Sequence, residues 1–283
     1  MTKRRGRLAP YLLSLPGMAF LLAFFAIPMF SMASISLQEG SLAKGYTLTY
    51  RWQTYTETIA KYDQQLIRSV VYGLIVTIAT LLISYPMSYW LAFKAGRGKN
   101  LYLLLILLPF FTPFLIRTLN WQFVLADEGI FLGTLKDWGL IGDSFRLLAT
   151  PFAVIAGITY NFLPFMALPL YVSLERIDKS LHDAAYDLYS SRTQAFLRVT
   201  LPLSIPGVFA GSLLTFIPSV GDFINAEILG SFKTTMIGNV IQREFLANND
   251  YPEAAAISFV LMAGILIGVF LYARALGTEE LTG

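Results

Sequence analysis

The chain has 283 residues, of which 55% are hydrophobic and only 14% are charged, and its formal net charge is +3. Soluble domains carry about a quarter charged residues, so this composition excludes an ordinary water-soluble protein and indicates one embedded in a lipid bilayer. The small basic excess indicates membrane topology rather than nucleic-acid binding. The absence of cysteine excludes disulfides and thiolate metal sites.

Six apolar runs are long enough to span a membrane, because crossing about 30 Å of hydrocarbon takes about 20 helical residues. They lie at 11–36, 68–93, 101–125, 150–174, 205–228 and 252–274. The sequence therefore predicts an all-α integral membrane protein with six transmembrane helices, forming a single domain over 1–283. The first run is too long for the apolar part of a signal peptide, so we expect it to be retained.

Charges in the connecting segments predict the orientation. Residues 1–10 and 94–100 carry basic residues and no acid, whereas 126–149 holds Asp127, Glu128, Asp137 and Asp143 against Lys136 and Arg146. Cytoplasmic loops of membrane proteins are enriched in Lys and Arg. The parts predicted to be cytoplasmic are both termini and the loops at 94–100 and 175–204, and those predicted to face outward are 37–67, 126–149 and 229–251.

The polar interval at 175–204 contains two short helical patterns. Ser180 and Asp183 form an S-x-x-acid capping arrangement for the first helix. Its narrow apolar face consists of Leu181, Ala184, Ala185 and Leu188. A flat face of small residues suits insertion into a groove on a partner protein, although a solvated connection between helices has the same ordinary caps.

The second short helix of this interval is flanked by Arg192 and Arg198. We expect Leu201-Pro202 to end it, because proline lacks the amide that continues a helix. Pro206 would then open the fifth span. The loop is thus predicted to present two separate short helices.

Ionisable side chains within a span are costly in lipid and usually face an interior path or a partner. The candidate residues for a substrate path are Asp222, Glu227, Trp121, Tyr160 and Phe223. Two carboxylates would attract a cationic solute, and aromatic faces could make cation–π contacts with it. In the alternative interpretation, Glu227 lies in water at the outer interface and Asp222 pairs with Arg117.

Several sequence features argue against an enzyme. The sequence contains no G-x-x-x-x-G-K-[ST] phosphate loop, and its one histidine, His182, lies in the polar interval away from the predicted spans. No nucleophile–base pair and no metal site is therefore predicted. Since no internal repeat is visible, a two-fold pathway would need a second subunit. Since no long outward domain is visible, solute capture would need a separate soluble receptor.

The polar interval resembles the EAA loop of type I ABC importer permeases, in the run Asp183-Ala184-Ala185-Tyr186-Asp187-Leu188-Tyr189 and the later Leu201-Pro202. Residues 163–171 and 173–179 are similar to the first of the two spermidine/putrescine importer permeases. The resemblance implies the six-helix fold of these permeases and transport of polyamines across the bacterial cytoplasmic membrane. The residues that it implies for contact with an ATPase are Asp183, Ala184, Ala185, Leu188, Tyr189, Arg192, Leu201 and Pro202.

The resemblance also implies the partners. They would be two copies of an ATPase subunit that binds ATP and Mg, a second homologous permease and an extracytoplasmic solute-binding protein. Permeases for iron, sulfate, sugars or opine-like compounds share this architecture, so the substrate stays open at this point. An ATP-independent channel or secondary transporter is the alternative from another class, but it would not need a docking helix in the cytoplasm.

Two residues of the loop depart from the pattern of the family. Asp183 stands where the family usually has Glu, which keeps the charge. Tyr189 stands where Gly is typical. Glycine there allows a turn with positive φ, which tyrosine resists. We therefore expect the turn between the two short helices to have a different shape.

Overall fold

The computed structural model describes the backbone of residues 9–276 and the side chains of residues 13–274. The chain ends, with the basic residues ahead of the first predicted span, lie outside the described residues. Helices dominate the described part of the chain, as predicted. The first seven are α1 (Ala9–Leu21), α2 (Ile27–Ile35), α3 (Gln53–Lys61), α4 (Asp63–Phe93), α5 (Lys99–Leu107), α6 (Phe114–Leu125) and α7 (Ile130–Asp137). The other seven are α8 (Pro151–Glu175), α9 (Ser180–Asp187), α10 (Arg192–Ala195), α11 (Leu201–Val220), α12 (Ile224–Leu229), α13 (Ile237–Leu246) and α14 (Tyr251–Leu276).

Five helical segments of the described residues are long and apolar enough to cross a membrane. They are Leu13–Ile35, Asp63–Phe93, Pro151–Glu175, Arg192–Val220 and Tyr251–Arg274. A sixth crossing results if the bent pair Gly96–Phe111 and Phe114–Asp137 counts as one span. The prediction of six spans therefore depends on a segment that is not a straight helix.

The predicted third span, 101–125, is wrong as a single helix, because the chain bends by 94° within it. Thr112 is extended, with φ −101° and ψ 132°, directly before Pro113. A residue that precedes proline is sterically disfavoured in the helical region, so α6 has to begin anew after the bend. The bend follows from the sequence Thr112-Pro113.

Packing divides the described chain into two compact units. One comprises the described residues up to Tyr62 with Ile241–Met262, and the other comprises Asp63–Val240 with the described residues from Ala263 onward. We call them the hairpin unit and the bundle unit. The prediction of one permease domain over 1–283 stays a prediction.

The core of the bundle unit lies where α4, α8 and α11 pack together. Helix α8 is apolar on nearly all sides and is the most buried of these helices. Helix α11 approaches it through Gly207 and Gly211, where an added Cβ atom would lie 2.8 Å from the carbonyl oxygen of Pro169 and 3.0 Å from that of Met166. Small residues four apart allow such close contact between membrane helices.

The hairpin unit contains a feature absent from the all-α prediction. Strands β1 (Gln38–Ser41) and β2 (Gly45–Leu48) pair antiparallel, with Gln38 opposite Leu48. The hydroxyl of Tyr46 donates to the carbonyl oxygen of Asn249, which ties this hairpin to the interval after α13. Tyr46 and Asn249, which belong to two intervals predicted to face outward, therefore meet within this unit, and the sidedness itself stays a prediction.

Within the same unit, the segment Leu13–Ile35 is exposed along its entire apolar window. The helices α3 and α14 are joined through Lys61, whose ammonium group lies 2.7 Å from the carboxylate of Glu253. Tyr62 donates a hydrogen bond of 2.9 Å to the buried Glu244. Burial alone would raise the pKa of Glu244, but hydrogen bonds from Asn248 and Tyr62, together with the positive charges of Lys61 and Arg243, hold this pKa below its ordinary value.

Candidate functional site

Helix α9 begins differently from the prediction. Asp178 caps it, since its Oδ1 atom accepts a hydrogen bond of 2.9 Å from the amide of Ser180. Hydrogen bonds from the backbone and the hydroxyl group of Ser180 lower the pKa of the Asp178 carboxyl. The predicted cap by Ser180 and Asp183 is wrong, because Lys179 already has helical backbone angles and Ser180 lies inside the first turn.

The other end of α9 is closed by a left-handed residue. Tyr189 has φ 61°. Its amide donates to the carbonyl of Tyr186 at 2.9 Å, and that of Ser190 donates to the carbonyl of Ala185 at 3.0 Å. These two bonds form the Schellman motif that glycine usually makes at a helix end. The expectation that tyrosine changes the shape of this turn is therefore wrong.

The predicted docking residues of α9 lie at the surface of the bundle unit. Asp183 and Ala184 are exposed and Ala185 is half-buried. The side chain of Leu188 is 79% exposed and that of Tyr189 97% exposed. The structure thus places a small-residue surface next to a fully projecting aromatic ring.

The second half of the loop is helical from Arg192 onward without interruption. A capping box begins it: Ser191 Oγ accepts from the amide of Gln194, and Gln194 Oε1 accepts from the amide of Ser191. The sequence analysis missed this S-x-x-Q signal. Arg192 is exposed at the start of α10.

The prediction that Leu201-Pro202 ends this helix is wrong. A π-helical turn, Phe196–Thr200, joins α10 directly to α11, and the helix runs from Arg192 to Val220. This wider turn changes the hydrogen-bonding pattern ahead of Pro202, so the missing amide of proline is tolerated there. Leu201 and Pro202 are both exposed on the continuous helix.

The fifth span ends earlier than its predicted boundary, because the helix breaks after Val220. Asp222 lies in the break and is only 7% exposed. Its Oδ1 atom accepts from the amide of Asn225 at 2.8 Å, and its Oδ2 atom accepts from the Asn225 side chain at 2.9 Å. The Asp222 side chain thereby caps the first turn of α12.

Asn225 connects this break to two neighbouring helices. Its Oδ1 atom accepts hydrogen bonds from Thr118 at 3.2 Å and from Asn161 at 3.1 Å. Thr118, Asn161 and Asn225 are all essentially inaccessible to solvent. We call Thr118, Asn161, Asp222 and Asn225 the buried polar cluster, which the sequence analysis identified only through Asp222.

The alternative in which Asp222 pairs with Arg117 is not what the structure shows. Both carboxylate oxygens of Asp222 are engaged by Asn225. The guanidinium carbon of Arg117 lies 5.6 Å from the ring centres of Phe110 and of Phe114. Its Nε and Nη1 atoms are buried without a hydrogen-bond partner among the described residues.

The other candidate path residues fall into two places. Trp121 and Tyr160 form a T-shaped ring pair with centres 5.4 Å apart. Glu227 is exposed, and its Oε2 atom accepts a hydrogen bond of 3.1 Å from Asn239. Phe223 is also exposed. Its carbonyl oxygen accepts from the same Asn239 amide group at 2.9 Å.

Comparison with known proteins identifies the class. The family of binding-protein-dependent transport system inner membrane components matches residues 84–276, and the chain belongs to this family. The matched part includes α8, the 175–204 loop and the whole buried polar cluster. The chain is thus a multi-pass membrane permease subunit of the ABC importer type rather than an enzyme, and the predicted class is confirmed.

Individual relatives are consistent with this membership. The chain is 36% identical over 258 residues to the spermidine/putrescine transport system permease protein PotB of Haemophilus influenzae, covering 91% of this chain and 90% of the relative. It is 35% identical over 257 residues to the protein of the same name in Escherichia coli K12, covering 90% and 94%. Its fold matches a chain of a bacterial ABC transporter that imports the acidic polysaccharide alginate, with a TM-score of 0.72 and 19% identity over 97% of this chain and 96% of that chain.

Proposed function

We propose that this chain is the permease subunit through which spermidine and putrescine are imported across the inner membrane of a bacterium. A separate ATPase, present in two copies, binds ATP and Mg and drives the transport. A second, homologous permease completes the pathway, and an extracytoplasmic solute-binding protein delivers the polyamine. The observation that carries the proposal is the similarity to two spermidine/putrescine permeases over nine tenths of the chain.

The ATPase docks on the exposed surface of the 175–204 loop, at the predicted cytoplasmic end. Lys99 forms an ion pair with Glu175, which brings the basic 94–100 loop to the same end as α9. This shared location supports the predicted sidedness, because cytoplasmic loops collect basic residues. The docking surface consists of Asp183, Ala184, Ala185, Leu188, Tyr189 and Arg192, with Leu201 and Pro202 at its edge.

The substrate path passes the break after α11, near Asp222. Asp222 is buried and its oxygens accept hydrogen bonds from Asn225, but among the described residues no basic side chain forms an ion pair with it, so no cation of the protein competes with a polyamine for this carboxylate. A polyamine carries several ammonium groups, and carboxylates and aromatic faces can replace part of their hydration. Glu227, Phe223 and the ring pair of Trp121 with Tyr160 are the further residues that we assign to the path.

Reconstitution tests the proposal directly. The permease, its partner permease and the ATPase are placed in proteoliposomes, and the solute-binding protein loaded with spermidine is added on the outer side. We expect spermidine to stimulate ATP hydrolysis and to accumulate inside, and both effects to disappear with a non-hydrolysable ATP analogue. Uptake without ATP, or stimulation by a solute other than a polyamine, would overturn the proposal.

A further inference from the structure

His182 lies where α9 meets two helices of the bundle core. Its Nε2 atom lies 2.9 Å from the hydroxyl oxygen of Thr200, in the π-helical turn that leads into α11. Its ring packs edge-on against Phe93 near the end of α4, with centres 5.1 Å apart and planes at 75°. Among the described side chains of α9, that of His182 makes the one hydrogen bond that reaches beyond the 175–190 region.

An aromatic row continues this contact along α4. Tyr85, Tyr89 and Phe93 are spaced four residues apart and therefore share one face of the helix. The rings of Tyr89 and Phe93 lie 4.9 Å apart. Phe196, at the beginning of the π-helical turn, packs edge-on against Tyr85 and Tyr89 at 5.7 Å and 5.9 Å. The turn is therefore held by α4 through Phe196 and by α9 through Thr200.

The π-helical turn is the place where a displacement can be absorbed or passed on. Such turns have one residue more than an α-helical turn, are rare, and occur frequently at functional sites. Thr200 is completely buried, so its hydroxyl group has few alternatives to its contact with His182. A movement of α9 that keeps this hydrogen bond has to move the beginning of α11 with it.

We propose that His182 is the positioning residue that transmits the displacement of α9 to α11, through Thr200, and to α4, through the Phe93 ring. This inference rests on the proposed docking of the ATPase to α9. A docking surface alone does not move a bundle, because the movement needs a directional contact between α9 and the packed helices. The hydrogen bond supplies the direction, and the edge-on ring contact keeps the imidazole aligned with Thr200.

Four variants separate the two contacts of His182 in the complete reconstituted transporter. His182→Phe keeps a ring against Phe93 and loses the hydrogen bond, and Thr200→Val removes the same hydrogen bond from the other side. The third variant combines both substitutions. His182→Gln places an amide group near the position of Nε2. Thr193→Val is the control for loss of a threonine hydroxyl, because Thr193 is exposed on α10.

We expect His182→Phe and Thr200→Val to keep the copurified ATPase and its basal ATP hydrolysis. Each should lower polyamine uptake per ATP hydrolysed by about fivefold or more, in the range of a typical coupling between sites. The double variant should be no worse than either single one, because both remove one hydrogen bond. His182→Gln should restore most of the uptake, and Thr193→Val should behave as the unmodified chain.

The failures of the two proposals can be told apart with Ala185→Arg on the docking surface. If that variant keeps full coupling, the proposed docking of the ATPase to α9 is wrong. If it loses coupling while His182→Phe and Thr200→Val keep normal uptake, the docking stands and the transmission through His182 is overturned. Loss of the ATPase from the Thr200→Val complex would also overturn it, because a transmitting contact leaves docking intact.

Discussion

At the scale of single residues, Tyr189 adopts a backbone conformation that tyrosine ordinarily avoids. A non-glycine residue in the left-handed region costs about 1–2 kcal/mol. The fold retains this residue at the end of α9 with its ring projecting almost completely into solvent. Since the ring hardly packs against the described residues, it is free to contact the ATPase if the proposed docking is right.

Replacing Tyr189 by Gly therefore separates the energetic cost of its backbone conformation from the contribution of its ring to ATPase binding. We expect the permease to gain up to about 1 kcal/mol of stability, because glycine accepts positive φ although it loses more freedom on folding. The amount of ATPase that copurifies should fall, because the projecting ring is lost. Thermal unfolding in detergent and quantitative pull-down measure the two effects.

Tyr189→Asn is the matched control, since asparagine tolerates the left-handed region but has no ring. It should reduce ATPase binding to the same extent as glycine. Normal copurification in both variants would mean that the ring has no part in docking.

Asp222 is the second residue whose role a single substitution resolves. In Asp222→Asn one hydrogen bond to Asn225 is lost, because the new side-chain NH2 group is a donor and faces another N–H donor of Asn225. We expect polyamine uptake to fall with assembly intact, together with a loss of about 1–2 kcal/mol of stability. Uptake and thermal unfolding are measured on the same preparation.

Asp143→Asn serves as the control, because it neutralises an exposed carboxylate outside the proposed path at little structural cost. If Asp222→Asn lowers stability and leaves uptake unchanged, Asp222 caps α12 only and does not belong to the path.

At the scale of helices, the close approach of α11 to α8 determines which glycines are replaceable. An added Cβ atom at Gly207 would lie 2.5 Å from the Cβ atom of Ser173, whereas at Gly264 in α14 it would meet nothing within 4 Å. We expect Gly207→Ala to destabilise the chain by about 1–3 kcal/mol through overpacking. Gly264→Ala should be neutral or stabilising by up to about 1 kcal/mol, since alanine is the better helix former. Equal melting temperatures of the two variants would contradict the close packing of α11 on α8.

The accuracy of the prediction from sequence differs from one helix to another. The spans around α4, α8 and α14 follow from continuous apolar runs, and α9 from its helical spacing. The run through Arg198 to Pro202 looked like a helix end, because a π-helical turn has no recognisable sequence signal and proline ordinarily stops a helix. The bend at Thr112-Pro113 could have been predicted from the proline, but hydrophobicity along 101–125 conceals it.

The buried polar cluster shows the corresponding limit for the site. Asp222 stood out because a charge in a span requires an explanation. Thr118, Asn161 and Asn225 are uncharged and distant in sequence, so only the packing of α6, α8 and α12 brings them together. The docking residues were predictable because they lie on one short, continuous stretch of chain.

At the scale of the whole molecule, the arrangement of loops on two sides of a membrane is directly testable, because the chain contains no cysteine. Arg97 lies in the basic 94–100 loop, and Phe232 is 91% exposed in the 229–251 interval. In Arg97→Cys and Phe232→Cys, a membrane-impermeant maleimide added to intact cells should label only position 232. Labelling at position 97 should require opened membranes, and labelling of both in intact cells would refute the topology.

The bend at Thr112-Pro113 has a consequence for the exchange of amide protons with water. The first amides of α6 have no acceptor within the helix, and the first hydrogen bond of this turn runs from Arg117 to the carbonyl of Pro113 at 3.1 Å. At membrane depth such groups require either protein or water as a partner. If water is the partner, deuterium should appear at Leu115 and Ile116 within seconds to minutes, whereas the middle of α8 should stay protonated far longer. Mass spectrometry of the two segments after exchange would then locate hydrated backbone inside the bilayer.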